Sequence, residues 1–320
     1  MNSIVDRVDE QPADETDAFA EPVVSVIIPH YNDLENLGQC LSLLRRQSMP
    51  RWQYEVIVAD NNSSCGLAAV VTACKDAHVV TAKKQGAGEA RNSGVSAAHG
   101  KFLAFTDSDC RPEQQWLEQG VRAMNGADFV GGRIRVSVDE QRRPTAAECY
   151  EIVFAFNNQR YVEEQGFSVT ANMFTRREVF EKVGPFRVGV SEDRDWGQRA
   201  RALGLQVRFA FDAVVAHPAR REWSDLIRKT QRVTAETFLL TLERPYGRMI
   251  WFLRSWLILL SPVLHWRAIL GCEELHGQRL KTIVALVRLR GWRFLEYNRL
   301  LFREIVRTGK RRILSRLHSE

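Results

Sequence analysis

The sequence predicts an α/β fold with a sheet of mostly parallel strands, followed by a C-terminal helical extension. Two apolar runs, residues 23–31 and 54–59, are too short for helices and too apolar for half-exposed strands. Leucines at helical spacing separate them, which makes the stretch a βαβ unit. The alternation continues to Thr106, so we expect a sheet covered on both faces, with ligands beyond the carboxyl ends of its strands.

The elements of this alternating part follow one another without long loops. The first strand is VVSVIIPHY, and the helix after it stops near Gln47. The second strand is YEVIVA, which stops at Asp60. The elements that follow are a helix near residues 67–75, a short strand at 79–80, a helix near 88–98 and a strand at 102–106.

After about Phe129 the regular alternation fades. The segment FVGGRIRVSV predicts a strand, and residues 145–161 predict a helix. We expect this half, up to His217, to build the other side of the binding crevice. From Glu222 the pattern is helical almost to the end, which places the predicted domain boundary near residue 220.

Composition divides the chain into a leader (1–20), an α/β domain (21–220) and a basic helical tail (221–320). The leader is polar and acidic with few large apolar side chains, so we expect it to be disordered. From Arg244 onward there are 16 Lys and Arg against 5 Asp and Glu, whereas the preceding residues carry 29 against 34. This asymmetry predicts an anionic partner for the tail.

The six cysteines are scattered and form no CxxC pair, and a chain of 320 residues does not need disulfides to fold. We expect reduced thiols. The N-terminus has no basic start followed by an apolar core, which argues against a secretory signal. The sequence therefore predicts a cytoplasmic protein, peripheral on the inner face of the membrane if its tail binds lipid.

Three aspartates fall where predicted strands end: Asp60 in IVADNNSS, then Asp107 and Asp109 in FLAFTDSDC. Such carboxylates open into the crevice, and two of them separated by one residue can both reach a divalent ion. A lone D-x-D is common in surface turns. The apolar strand that runs into this one favours a metal site.

Four ordered blocks within about residues 23–220 make the chain resemble the family 2 glycosyltransferases. The blocks are VSVIIPHYND, VIVADNNSS, GAGEARNSGVSAAHGKFLAFTDSDC and ANMFTRREVFEKVGPFRVGVSEDRDWGQRARALG. The resemblance implies a GT-A fold with a Rossmann-like mixed sheet and a nucleotide-diphosphate sugar donor. It also implies a Mn²⁺ or Mg²⁺ ion, inversion at the anomeric carbon, and a role in cell-surface polysaccharide or glycolipid biosynthesis.

The resemblance places the nucleotide sugar at strand and helix ends. Asn61 stands where many members carry a second aspartate, so the base preference is not fixed. Arg91, at a helix start, would meet phosphate with its guanidinium, or else lie on the surface. The residues expected to bind the donor are Pro29, Tyr31, Asp33, Asp60, Asn61, Arg91 and Asp107.

For the metal, the resemblance indicates Asp107, Asp109 and His217. Asp107 would contact the ribose, the ion or both. His217, in VVAHP, matches a position that completes the metal shell in several relatives. The alternative for His217 is a hydrogen-bonded structural histidine.

In SEDRDW the resemblance identifies Asp193 as the catalytic base. Inverting transfer needs one carboxylate to take the proton of the acceptor hydroxyl. Glu192, Asp195 and Trp196 are expected on the acceptor side. The same acids also suit the N-terminus of a helix, and both roles are compatible.

Residues 250–270 are the most apolar part of the tail but are interrupted by arginines, so they fall short of the ~20 residues that a spanning helix needs. With Trp251, Trp256 and Trp266 they suit a helix pair in the membrane interface, or an amphipathic lid packed on the catalytic domain. The later basic residues would face lipid headgroups, or only solvent.

Other functions compete with sugar transfer. A nucleotidyltransferase uses a similar sheet and metal, but its glycine-rich basic loop is replaced here by HYNDLEN. A nucleic-acid binder would act through the tail, and a dead scaffold would not need the acids at 107, 109 and 193. The expected partners are a nucleotide-sugar donor, a hydroxyl acceptor that a lipid could carry, and an anionic membrane surface, with no nucleic acid. The absence of a QxxRW signature favours single-sugar transfer.

Overall fold

A computed structural model describes residues 21–275 and 277–317, with side chains through residue 308. The expected disordered leader lies outside these residues. The strands are β1 (Val24–His30), β2 (Tyr54–Asp60), β3 (His78–Thr81), β4 (Phe102–Thr106), β5 (Arg111–Pro112), β6 (Phe129–Ser137), β7 (Asn172–Arg176) and β8 (Val207–Pro218). The helices are α1 (Leu34–Leu44), α2 (Leu67–Ala73), α3 (Ala87–Ser96), α4 (Trp116–Ala123), α5 (Ala146–Phe154), α6 (Asn158–Gln165), α7 (Arg177–Val183), α8 (Glu192–Ala202), α9 (Trp223–Leu242), α10 (Gly247–Leu260), α11 (Pro262–Leu270) and α12 (Arg279–Leu317).

The described strands form one eight-stranded mixed sheet in the order β3-β2-β1-β4-β7-β6-β8-β5. Strand β1 pairs in parallel with β2 and β4, as the βα alternation predicts. Strand β7 runs antiparallel between β4 and β6, whereas β6 and β8 are parallel. The mixed α/β sheet expected from the resemblance is therefore confirmed.

Two hydrophobic cores form because successive side chains of β1 point to opposite faces of the sheet. Val26 and Ile28 pack toward α1 and α4 on one face, with Trp116 at the centre of that layer. Ile27 belongs to the other face, under α7 and α8.

A glycine fixes the distance between α3 and the sheet. A Cβ on Gly94 would lie 2.6 Å from Cγ2 of Ile27, closer than real Cβ atoms approach. The glycine in GEARNSG thus allows α3 to pack directly on β1, and α3 carries Arg91.

The single helix predicted over residues 145–161 is two helices. Thr145 and Glu148 form a capping box that starts α5. That helix ends at Phe154, and the side chain of Asn157 accepts a hydrogen bond from the backbone N–H of Arg160 to cap α6. The cap explains why the helix is interrupted. An asparagine side chain that accepts a hydrogen bond from the backbone three residues ahead favours the start of a new helix over continuation of the first.

The C-terminal helices pack on the α/β domain. A hydrophobic cluster joins Tyr150 of α5 to Leu226 of α9, Ile269 of α11 and Leu286 of α12. A second cluster stacks Trp251 on Tyr297 with a centroid separation of 3.8 Å.

This packing corrects the expectation for one tryptophan of the tail. Trp251 is fully buried and donates its indole N–H to the carbonyl of Tyr297, so it cannot face a membrane. Trp256 and Trp266 are 47% and 44% exposed. No single helix in the described ranges is long and apolar enough to cross a bilayer, although α10 and α11 together, bent by 46°, have the length and composition for one crossing.

Candidate functional site

A cavity of about 1190 Å³ lies beyond the carboxyl ends of the parallel strands. Tyr31, Asn61 and Asp107 line it, and each follows directly after β1, β2 or β4. The opposite wall comes from α8, α9, α10 and α12. The predicted site residues on its surface are Tyr31, Asn61, Arg91, Asp107, Glu192, Asp193 and His217.

Arg91 does not meet the cavity as a free cation. Its side chain is 4% exposed, with Nη2 lying 2.6 Å from Oδ1 of Asp107 and Nη1 lying 2.8 Å from Oε1 of Glu192. Burial opposes its charge, but the two carboxylates outweigh that effect and raise the pKa of Arg91. Arg91 therefore links the D-x-D turn to the start of α8. Its contact with phosphate stays a prediction.

Asp109 and His217 face each other, with 3.4 Å between Oδ2 and Nε2. The Nδ1 atom of His217 is 2.8 Å from the carbonyl oxygen of Pro218, which can only accept, so Nδ1 donates. The Nε2 atom therefore faces the carboxylate oxygen, and both atoms can ligate a cation.

These donors fit a hard divalent ion. Burial raises the pKa of Asp109 and Asp107 adds to the shift, while His217 and Arg220 oppose it. Carboxylates with one imidazole suit Mn²⁺ or Mg²⁺, which keep open positions for phosphate oxygens and water. Within the described ranges, no group of three acidic, histidine or cysteine side chains is placed to hold a metal ion.

Asp193 lies in the first turn of α8. Its Oδ1 accepts hydrogen bonds from the hydroxyl of Ser191 at 3.0 Å and the backbone N–H of Arg194 at 2.7 Å, and in the described part of the chain Oδ2 has no hydrogen bond. Burial, followed by the negative charge of Glu192, raises the pKa of Asp193 to about 6. Such a carboxyl group can exchange a proton near neutral pH.

Three of the expected donor-binding residues do not line the cavity: Pro29, Asp33 and Asp60. Asp60 is 2% exposed, and its carboxylate accepts from the backbone N–H of Ser63 and lies 3.3 Å from Nδ1 of His30. Asp33 caps α1 through the backbone N–H of Asn36. These carboxylates shape the loops after β1 and β2.

The expectation that Asp195 and Trp196 face the acceptor is corrected by their burial. Asp195 is 5% exposed and holds Arg187 at 2.9 Å and Arg199 at 2.8 Å. Trp196 is fully buried, donates its indole N–H to the carbonyl of Gly184 and packs edge-on against Phe129. Helical spacing places Asp195 on a different face of α8 from Asp193, and neither Asp195 nor Trp196 lines the cavity.

Sequence reasoning missed a basic group beside the proposed metal ligands. Glu151, 1% exposed, pairs with Arg220 at 3.0 Å and with Lys229 at 3.2 Å, and both basic residues line the cavity. Burial lowers the pKa of Lys229, and Glu151 partly offsets that effect. The signal was present, because the run ARRE follows His217 and Pro218 directly.

Comparisons with known proteins identify the family of this chain. The model of the family described as glycosyl transferase family 2 matches residues 25–184. The chain is 35% identical to the glycosyltransferase AglE of Haloferax volcanii over 247 residues, which are 74% of this chain and 80% of the relative. It is also 32% identical to the putative teichuronic acid biosynthesis glycosyltransferase TuaG of Bacillus subtilis, over 32% of this chain and 42% of that one.

Among solved structures, the mannosyltransferase PcManGT of Pyrobaculum calidifontis, in complex with GDP-Man and Mn²⁺, superimposes with a TM-score of 0.54. The likeness covers 85% of this chain and 76% of that one, at 20% sequence identity. It confirms the predicted GT-A fold.

Proposed function

The chain belongs to glycosyl transferase family 2, and on that premise we propose that it moves a sugar from a nucleotide-diphosphate sugar to an acceptor hydroxyl with inversion. The observation that carries the mechanism is the brace through Arg91. Arg91 binds Asp107, on the donor side, and Glu192, at the start of the helix that carries Asp193. Asp107 and Asp193 therefore line the same cavity. The mannosyltransferase PcManGT, which has a similar fold, was solved in complex with GDP-Man, which supports the proposal.

On the donor side, Asp109 and His217 would hold a Mn²⁺ or Mg²⁺ ion, with Asp107 beside them. A bound divalent ion supplies positive charge that neutralises the departing diphosphate. Arg220 and Lys229 add cationic charge on the same wall. Tyr31, 47% exposed after β1, offers its ring to the base.

On the acceptor side, Asp193 is the general base. Its free Oδ2 takes the proton of the acceptor hydroxyl while that oxygen attacks the anomeric carbon on the face opposite the diphosphate. The new glycosidic C–O bond forms as the C–O bond to phosphate breaks, and the nucleoside diphosphate leaves with the electron pair. One displacement inverts the anomeric carbon.

The name of TuaG, a putative teichuronic acid biosynthesis glycosyltransferase, supports a role in polysaccharide biosynthesis. We further propose that the outer face of α10 and α11 docks on an anionic membrane. Arg248 and Arg267 lie in the same helices and supply basic charge. The large apolar side chains that are more than 40% exposed there are Met249, Phe252, Leu253, Trp256, Leu257, Leu260, Val263, Leu264, Trp266 and Leu270. A monomer rarely exposes such a patch without a partner, and tryptophans beside arginines suit the membrane interface.

The test is a thermal-shift screen of nucleotide-diphosphate sugars with Mn²⁺, followed by product analysis. A donor at ~100 times its dissociation constant adds roughly 2.7 kcal/mol to the free energy of unfolding. Release of nucleoside diphosphate supports sugar transfer. Release of inorganic pyrophosphate from a nucleoside triphosphate would instead indicate the nucleotidyltransferase alternative.

A further inference from the structure

The cavity carries more positive charge than its own carboxylates neutralise. Its acidic lining residues are Asp107, Glu192, Asp193 and Glu236. Its basic lining residues are Arg91, Arg187, Arg194, Arg220, Lys229, Arg232, Arg254, Arg290 and Arg293. Five of these nine pair with carboxylates: Arg91, Arg187, Arg220, Lys229 and Arg232.

The other four form what we call the arginine cluster: Arg194, Arg254, Arg290 and Arg293. Within the residues whose side chains are described, none of them has a carboxylate oxygen within 4.0 Å. Among the described side chains, Arg254 donates only to the hydroxyl of Thr241 at 3.4 Å, and Arg293 only to the hydroxyl of Tyr297 at 3.5 Å. The Nε atoms of Arg290 and Arg293 are buried and have no hydrogen-bond partner among the described residues.

The cluster is assembled from three helices. Arg194 comes from α8, Arg254 from α10, and the other two members from α12. Burial and the nearby charges of Arg254 and Arg244 lower the pKa of Arg194. Burial also lowers the pKa of Arg290, with Tyr150 opposing and Arg293 adding to the shift. Guanidinium groups gathered in a partly desolvated pocket repel one another unless an anion joins them.

The cluster lies on the acceptor side of the cavity. Arg194 follows the proposed base directly, and its backbone N–H donates to Oδ1 of Asp193. The donor phosphates have their own basic residues, Arg220 and Lys229, on the wall near Asp109. Two anionic groups can therefore be bound in this cavity, one on each side of the transferred sugar.

We propose that the arginine cluster binds a phosphate or diphosphate group carried by the acceptor, a role that rests on the proposed sugar transfer at Asp193. Arginine presents a planar fork of N–H donors that matches phosphate oxygens. All four members of the cluster line the cavity, so an anion bound there meets their side chains.

The rest of this acceptor is a hydrocarbon chain. Leu257 and Ile258 of α10 line the cavity beside Arg254, and Leu257 is 65% exposed. Leu257 also belongs to the apolar outer face of α10 and α11. A chain attached to the bound phosphate can leave the cavity along this apolar path, which is where the proposed membrane surface lies.

Geranyl phosphate, a short alkyl phosphate, tests the inference by calorimetry on the full chain with EDTA, so that the proposed metal site is empty. We expect geranyl phosphate to bind and geraniol to bind far more weakly. The double variant Arg290→Gln/Arg293→Gln should lose about tenfold or more in affinity, since each hydrogen bond to a charged group contributes appreciably. Arg303→Gln, on the exposed side of the same helix, should bind as the wild type does.

Unchanged affinity in the double variant, with its fold verified by circular dichroism, would overturn the inference, as would equal binding of geraniol. If the double variant misfolds, Arg194→Gln serves the same comparison. If inorganic phosphate binds as tightly as geranyl phosphate, the arginine cluster is still a phosphate site, but the inference that the acceptor carries a hydrocarbon chain is overturned. If the protein does not bind geranyl phosphate but still binds nucleoside diphosphate with Mn²⁺, the inference about the acceptor site is wrong and the proposed sugar transfer stands. If it binds geranyl phosphate but no nucleotide, the proposed sugar transfer is contradicted instead.

Discussion

Arg91 and Glu192 are 101 residues apart in sequence, yet Nη1 of Arg91 lies 2.8 Å from Oε1 of Glu192. The other end of the same guanidinium holds Asp107 at 2.6 Å. The ion pair therefore couples the turn after β4 to the start of α8, where Asp193 sits. This buried side chain thus joins the proposed metal side to the helix that carries the proposed base.

Replacing this guanidinium should damage both stability and transfer. Arg91→Gln leaves two carboxylates partly buried without their cation, so we expect the free energy of unfolding to fall by about 3–5 kcal/mol. Urea denaturation measures the loss. The matched control is Arg45→Gln, because Arg45 and Asp76 form an exposed pair whose loss should cost about 0–1 kcal/mol. Equal, small losses in both variants would show that the brace does not couple the two elements.

The rate of transfer should depend on the ionisation of Asp193. Since its pKa is raised to about 6, activity should rise with pH along a limb centred near 6. Asp193→Asn should reduce kcat by about 10²–10⁴ while donor affinity persists, because an amide cannot accept the hydroxyl proton. Near-wild-type transfer by this variant would place the base elsewhere.

The same substitution should stabilise the protein above pH 6. A carboxyl whose folded pKa is raised favours folding when protonated, and this contribution is lost as the pH rises from its unfolded value of 3.8 through 6. Asp193→Asn should therefore raise the free energy of unfolding at pH 8 by on the order of 1–3 kcal/mol, and by much less at pH 4. Asp195→Asn is the control, because its buried pairs with Arg187 and Arg199 make it destabilising at both pH values. A pH-independent effect of Asp193→Asn would contradict the raised pKa.

The sequence predicted the strand ends well because apolar runs and helical spacing are local signals. They located Asp107, which lines the cavity, whereas Asp193, which also lines it, was identified only through the resemblance of SEDRDW to the family. Side-chain direction at a strand end is not local: the carboxylate of Asp60 turns inward to His30 and Ser63. Nor does a motif show which neighbour a side chain will meet.

The arginines of the tail show the same limit. From the sequence alone we expect these arginines to face solvent or lipid headgroups. In the fold, Arg290 and Arg293 reach the cavity because α12 packs on α5, α9 and α10. Their placement depends on tertiary contacts between residues far apart in the chain, which periodicity alone does not report.

Substitution of a proposed metal ligand should remove metal binding without unfolding the protein. Asp109 has a 30% exposed side chain, and its charge is disfavoured by burial, so Asp109→Asn should keep the folded state. Calorimetry should show loss of Mn²⁺-dependent binding of nucleoside diphosphate, because the amide supplies no negative charge. Asp212→Asn, an exposed site on the same strand as His217, should bind normally. Wild-type Mn²⁺ dependence in Asp109→Asn would remove Asp109 from the ligand set.

Membrane docking should depend on the two exposed tryptophans of the tail. Trp256 and Trp266 offer apolar area on the outer face of α10 and α11, and nearby arginines attract anionic headgroups. We expect sedimentation with vesicles that contain phosphatidylglycerol, weaker binding to neutral phosphatidylcholine vesicles, and release by the double variant Trp256→Ser/Trp266→Ser.

The control for docking is Trp52→Ser, since Trp52 is 50% exposed but lies before β2, away from the tail. It should sediment as the wild type does. Salt should weaken binding without abolishing it, because the apolar contribution is not screened whereas the charge contribution falls within a Debye length of ~8 Å at 0.15 M. Equal recovery of wild type and double variant with anionic vesicles would show that this face does not bind lipid. Concentration-dependent dimerisation lost in the double variant would assign the face to a second copy of the chain instead.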